Sequence, residues 1–439
     1  MNAILSDQAL RIGLVGTYDV SNFGDCIFPD IYVHQFRKRF PNVAFTLYSP
    51  NAVAADILNF DAVRALPARL QEAQFSEDCL VQTGGETVWV GHSSGTYIYP
   101  LSTMSAYLRL WLGPVYAASR SSVKSIIHCV GMPSGNVDVL PVMTRLLQSA
   151  DNVRLRDTVS QSRLQGAFGV ATDPAFVMHE LQSPAQWRER AARVLPQQVV
   201  DKSYLVVQIS QSYLKGNLRV WCDAIAEIMR GADCEVVLLP ICLMLNDEEL
   251  LSLCRDQFAI LYPDLVSRMH LIRGALKVLD TAALLACCAG YVGSSLHGAV
   301  AAVSFAKPMA VLSKSLDGKH AQTLLTAGVQ AGGVTDRIED LPQCFCTTTT
   351  WDLAENSAEA IRRAERDFDD MARVVLADKK PARSIADADL QEIFAYDRAP
   401  MGSVVSRMKR TCFTVMRRMP ELWRWYERRK FQSRFSVNR

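Results

Sequence analysis

Short apolar runs alternate with longer stretches of helical period along most of the chain. Ile12-Gly-Leu-Val-Gly16 is followed by the turn Ser21-Asn-Phe-Gly-Asp25 and a helix reaching about Phe40. The runs 44–50, 79–85 and 125–133 read as further strands, with shorter ones at 153–157 and 170–176. A polar, proline-punctuated stretch over 179–203 breaks this rhythm and is expected to connect two units. The pattern then restarts with a strand over 204–210, a helix near 217–230, a strand over 234–240 and a helix from Asn246. A strand over 269–273 and a helix over 279–289 follow. Strands with apolar residues on both faces, separated by helices, predict parallel βαβ units whose sheets are covered on both sides. The expected organisation is α/β: one domain over 1–178, a connection over 179–203, a second domain over 204–345, helices over 346–400, and a tail over 401–439.

The segment from Thr281 to Ala306 carries no charged residue. Serines, glycines and a histidine interrupt it where a bilayer tolerates them least, and its period changes along the way. It therefore reads as a buried helix, a short strand, the turn Ser294-Ser-Leu-His297, and a small-residue helix. The first residues lack the basic start and apolar run of a signal peptide, so a cytoplasmic protein is expected. Twelve cysteines, none in a Cys-x-x-Cys pair, read as reduced and mostly buried thiols, not as a zinc or disulfide frame.

Net charge is only +2 but unevenly placed. Residues 401–439 hold eleven Lys or Arg against Glu421 and Glu427, while the rest holds 36 basic and 43 acidic groups. Apolar positions at Met408, Cys412, Val415, Met416, Met419, Trp423 and Tyr426 recur every three or four residues, with arginines on another side. That is a basic amphipathic helix suited to an anionic membrane surface, here the inner face. Packing on the body or on a partner chain is the plainer reading. Nucleic acid fits poorly, because the body is acidic and carries no binding module.

Candidate chemistry gathers where strands end. Asn22, Gly24 and Asp25 lie in a turn entering a helix, where free amides attract anions. The glycines at 13, 16 and 24 do not match the dinucleotide fingerprint, and a plain turn with Asp25 as helix cap is the alternative. Arg156 follows a strand, where its fork of donors suits phosphate or carboxylate; alternatively it pairs with an acid such as Asp173. Alternation sends Arg154 to the same side as Arg156. Ser294, Ser295 and His297 occupy the turn before a helix, and His297 has the chemistry of a general acid or base. Lys319, after Asp317-Gly, begins another helix and is able to close on an anion, or else is a solvated lysine.

The order Asn22-Phe-Gly-Asp25, Gly84-Gly85, Gly131-Met-Pro133, Arg156-Asp157-x-x-Ser160, Asp173-Pro-Ala-Phe176, Ser-Leu-His-Gly298 and Asp317-Gly-Lys319 resembles the polysaccharide pyruvyl transferase family over roughly residues 12 to 340. The resemblance implies two Rossmann-like domains facing a cleft, a GT-B-like arrangement. It implies transfer of pyruvyl from phosphoenolpyruvate onto a sugar of a surface glycan or its lipid-linked precursor, without metal or other cofactor. Arg156 and Lys319 would hold the donor's charges, and His297 would bind it and handle the proton. Gly84, Gly85 and Glu86 are acceptor-side candidates. Family members often carry arginine where this chain has Ser295, and Glu86 cuts a glycine-rich run short. A nucleotide-sugar glycosyltransferase and a silent binding protein of a glycan assembly complex are the other expectations.

Overall fold

The structure, a computed structural model, describes residues 9–49, 52, 54–66, 74–84, 114–131, 140–214, 217–378 and 388. The first sheet comprises β1 (Leu10–Val15), β2 (Val43–Ser49), β3 (Arg64–Ala65), β4 (Cys79–Thr83), β5 (Lys124–Val130), β6 (Asn152–Leu155) and β7 (Gly169–Val170). Its spatial order is β3-β2-β1-β4-β5-β6-β7, and the neighbouring pairs are parallel. The second comprises β8 (Tyr204–Val207), β9 (Glu235–Leu238), β10 (Met269–Leu271), β11 (Gly290–Gly293), β12 (Met309–Leu312) and β13 (Val334–Thr335). Its order is β10-β9-β8-β11-β12-β13, again parallel.

The strand order reverses beside β1 in the first sheet and beside β8 in the second. At such switch points the loops diverge and leave room beyond the strands' carboxyl ends. The two carboxyl edges face one another. Asn22, after β1, forms an antiparallel bridge with Cys242, after β9, and the Phe23 amide donates to the Ile241 carbonyl at 3.1 Å. That bond corrects the expectation of open amides in this turn. The helix starts at Phe23 with Asn22 in the capping position, so Asp25 lies inside the first turn and is not the cap.

Strands β4 and β8 are buried at every position, as a sheet covered on both faces requires. The uncharged segment resolves into helix Val278–Cys287, strand β11 and helix Leu296–Ser304. Small residues from Gly298 to Ala302 let the last of these pack against the 3-10 helix Pro174–Leu181. Residues 170–176 are not one strand: β7 ends at Val170, and Asp173 caps the 3-10 helix by accepting from the Ala175 amide at 2.9 Å. Within 179–203, helix Pro184–Val194 packs on helix Val278–Cys287, with Arg190 and Asp280 paired at 2.7 Å. The described cysteines are free thiols, and among the described residues no helix is long and apolar enough to cross a membrane.

Helix Leu353–Leu376 returns from the second sheet to the first. Ala360, Ala364, Phe368, Met371 and Val375 form one buried stripe at helical spacing. Phe368 packs edge-on to Tyr32 (ring centroids 5.3 Å apart), Phe36 (6.4 Å) and tilts against His128 (5.9 Å). Asp367 and Asp370 receive the two arms of Arg154 at 3.0 and 2.6 Å, and the Thr172 amide donates to Asp367. Arg154 is thus a clamp for this helix.

Candidate functional site

His297 sits at the second position of helix Leu296–Ser304, which carries it from the second sheet's edge into the first. Its ring lies against Gly24: a Cβ placed there would fall 1.8 Å from His297 Nδ1. The Phe28 ring meets the imidazole edge-on at 5.3 Å, and Phe28 in turn fills the space over Gly84. Gly84 has φ +55°, and a side chain there would collide with Phe28 at 2.0 Å, so the position demands glycine twice over. On its other side His297 Nε2 faces Asp173 Oδ2 at 3.6 Å, within ion-pair reach but longer than a hydrogen bond. The Asp173 side chain is 1% exposed and that of His297 14%, with the His297 Nε2 atom itself buried. Burial opposes charge on Asp173, yet His297, the Ala175 amide and Arg156 outweigh it and hold the carboxyl below its ordinary value.

Arg156 lies one residue beyond β6. Strand β5 is irregular at Cys129 (φ 56°), after which Val130 pairs with Leu155 and its carbonyl accepts the Arg156 amide at 3.0 Å. The guanidinium covers Gly131, where a Cβ would lie 2.3 Å from Nη2, and Arg156 Nε contacts Asp157 at 3.4 Å. Asp157 also caps the following helix through the Ser160 amide at 2.7 Å. Arg154 and Arg156, expected on the same side of the strand, have separate partners. Lys319 is exposed and opens helix Lys319–Thr326. Its neighbour His320 contacts the Ser294 carbonyl at 3.1 Å, and Gln322 accepts from Thr158 at 2.7 Å. These bonds bring the start of that helix beside both the His297 turn and the Arg156 strand end.

A family model for polysaccharide pyruvyl transferases matches residues 22–315. The chain belongs to that family. No curated protein matches the sequence significantly. Among solved structures, UDP-GlcNAc 2-epimerase from Methanocaldococcus jannaschii is similar at 12% identity and a TM-score of 0.52, over 83% of this chain and 100% of that one. UDP-GlcNAc 2-epimerase from Neisseria meningitidis, bound to UDP-GlcNAc, is similar at 12% identity and TM-score 0.50, over 83% and 99%. At such identity the likeness is one of fold, two parallel α/β units of GT-B type.

In this pyruvyl transferase family member the turn serines have structural work. Ser295 Oγ accepts the Gly298 amide at 3.3 Å and caps the His297 helix. Ser294 Oγ accepts the Ser210 amide at 2.9 Å and lies 3.3 Å from Gln208 Oε1. Asn22 Nδ2 donates to Asp25 Oδ2 at 2.6 Å, tying the first turn together. Gly85 and Glu86, and the tail over 401–439, lie outside the described residues. Asp173 and Phe28 escaped the list of candidates drawn from the sequence. For Asp173 a signal existed, since Asp immediately before Pro marks the start of a helix. Among the described residues no group of His, Cys, Asp or Glu is arranged to hold a metal ion.

Proposed function

We propose that the protein transfers a pyruvyl group from phosphoenolpyruvate to two hydroxyls of a glycan sugar, forming a ketal. The observation that carries this reading is the Asp173–His297 pair, with Arg156 close enough to help hold Asp173 ionised. Protonated His297 gives its proton to the donor's methylene carbon, leaving C2 electron-poor. A sugar hydroxyl attacks C2 and returns a proton to His297. The C2–O bond to phosphate then breaks, a second hydroxyl closes the ring, and its proton leaves with the phosphate. Arg156 and Lys319 bind the donor's phosphate and carboxylate, and the charged Asp173 stabilises the imidazolium. The test is phosphate release from phosphoenolpyruvate with a lipid-linked sugar bearing a free diol. His297→Gln should abolish it with an unchanged melting temperature; absence of release by the wild type across diol acceptors overturns the reading.

A nucleotide-sugar donor is the second reading. It is favoured by Ser295, which is occupied as a helix cap where family members often carry an arginine. Thermal-shift titration with phosphoenolpyruvate against nucleotide sugars separates the two. We place the reaction at the inner membrane face, on the strength of the eleven basic residues in 401–439. Deleting the chain after Gly402 should release the protein from vesicles containing anionic lipid, and unchanged binding would refute that placement.

A further inference from the structure

Asp247 is fully buried at the start of helix Asp247–Leu261, far in sequence from any residue assigned to the reaction. Its Oδ2 accepts from the Cys242 amide at 2.9 Å, the Ile241 amide at 3.3 Å and Gln208 Nε2 at 2.9 Å. Oδ1 is buried without a hydrogen-bond partner. Gln208 passes the connection on: its Oε1 accepts the Ser294 amide at 3.1 Å and contacts the Tyr291 hydroxyl at 3.4 Å. That hydroxyl accepts the Ser295 amide at 3.1 Å, two residues before His297. The other arm runs through residues 241–242, which carry the bridge to Asn22 and the bond to the Phe23 amide. Phe23 precedes Gly24, the surface on which the imidazole rests.

We infer that Asp247 is a positioning residue that sets both walls around His297: the turn that carries the ring, through Gln208, and the helix start it packs against, through residues 241–242. This rests on His297 being the proton-handling group proposed above. The arrangement is costly, which argues against a purely stabilising role. Burial pushes the Asp247 carboxyl up to about 6, so at neutral pH the fold holds a buried charge met only by the Cys242 and Ile241 amides and Gln208 among the described residues. A neutral amide would fill the same space at less cost but would not accept three donors.

The test uses full-length protein labelled with 15N-histidine, the His297 ring resonances being assigned by their loss in His297→Gln. Asp247→Asn and Gln208→Leu should both move those resonances, whereas Glu248→Gln, which removes the charge facing Arg273 at 3.8 Å but keeps an oxygen for the Gly274 amide, should not. In phosphoenolpyruvate turnover, Asp247→Asn should lower kcat by about 10- to 100-fold with KM nearly unchanged, as misplacement of a reacting group predicts. Unmoved His297 resonances in folded Asp247→Asn and Gln208→Leu protein overturn the inference. If Asp247→Asn fails to fold, Tyr291→Phe decides, because it removes only the hydroxyl that holds the Ser295 amide. A wild type without phosphoenolpyruvate turnover would defeat the proposed donor, while the resonances would still report on positioning.

Discussion

Gly24→Ala is the most economical probe of the site, because it adds one methyl group and removes nothing. The new Cβ would stand 1.8 Å from His297 Nδ1, 2.4 Å from Cε1 and 2.5 Å from Cγ. Ordinary contact between such atoms needs about 3.5 Å, so the ring must retreat by more than about 1.5 Å. Phe28 blocks one side and Asp173 the other. In a helix the substitution should otherwise gain up to about 1 kcal/mol. Overpacking costs about 1–3 kcal/mol, so the net loss of stability is expected to be about 2 kcal/mol or less and the protein should fold. Displacement of the imidazole by more than 1 Å from the reacting carbon should lower kcat by about 100-fold. The assay is steady-state phosphate release from phosphoenolpyruvate beside thermal unfolding of the same preparation. Gly24→Ala protein that folds and turns over at the wild-type rate would refute the placement of His297 against this glycine.

Gly131→Ala puts a Cβ 2.3 Å from Arg156 Nη2 and should raise KM for the donor with little change in melting temperature, measured by initial rates. Asp173→Asn keeps the shape but removes the charge facing His297, and transfer should fall by about 100-fold, the lower end of what acid–base catalysis contributes. Because the Asp173 carboxyl is held below its ordinary value, its support of the fold is complete at neutral pH and is lost only as pH falls through that depressed value. Acid unfolding of Asp173→Asn should accordingly be shallower than that of the wild type. Asp247 has the opposite sign: raised from 3.8 to about 6, it favours the fold when protonated and loses that contribution as pH rises through about 6. Denaturant unfolding at pH 4 and pH 7 should show the wild type losing roughly 2 kcal/mol relative to Asp247→Asn across that interval.

The strands were legible where a mostly apolar run ended at glycine or proline, as β1, β4 and β9 do. Edge strands β3 and β13 were not, since two residues such as Arg64–Ala65 carry no period. The turn holding His297 was visible because polar residues interrupt an otherwise uncharged segment. What surrounds it was not. Asp173 read as part of a strand, although its carboxylate caps a 3-10 helix and faces the histidine. Gln208 and Asp247 belong to a network joining residues 39 positions apart, and such a network leaves no local spacing to detect. Gly24 and Gly131 were noticed as turn or motif residues, whereas their service is to leave space for a side chain from elsewhere.

The late helix Leu353–Leu376 has a consequence for how the polypeptide must be made. Tyr32 and Phe36 are completely covered, and Phe368 supplies part of that cover from more than three hundred residues downstream. During synthesis the amino-terminal sheet therefore waits, with an aromatic face wet, until nearly the whole of the described polypeptide has left the ribosome. Fragments stopping after the first sheet should stick to one another or to chaperones, because exposed apolar faces aggregate.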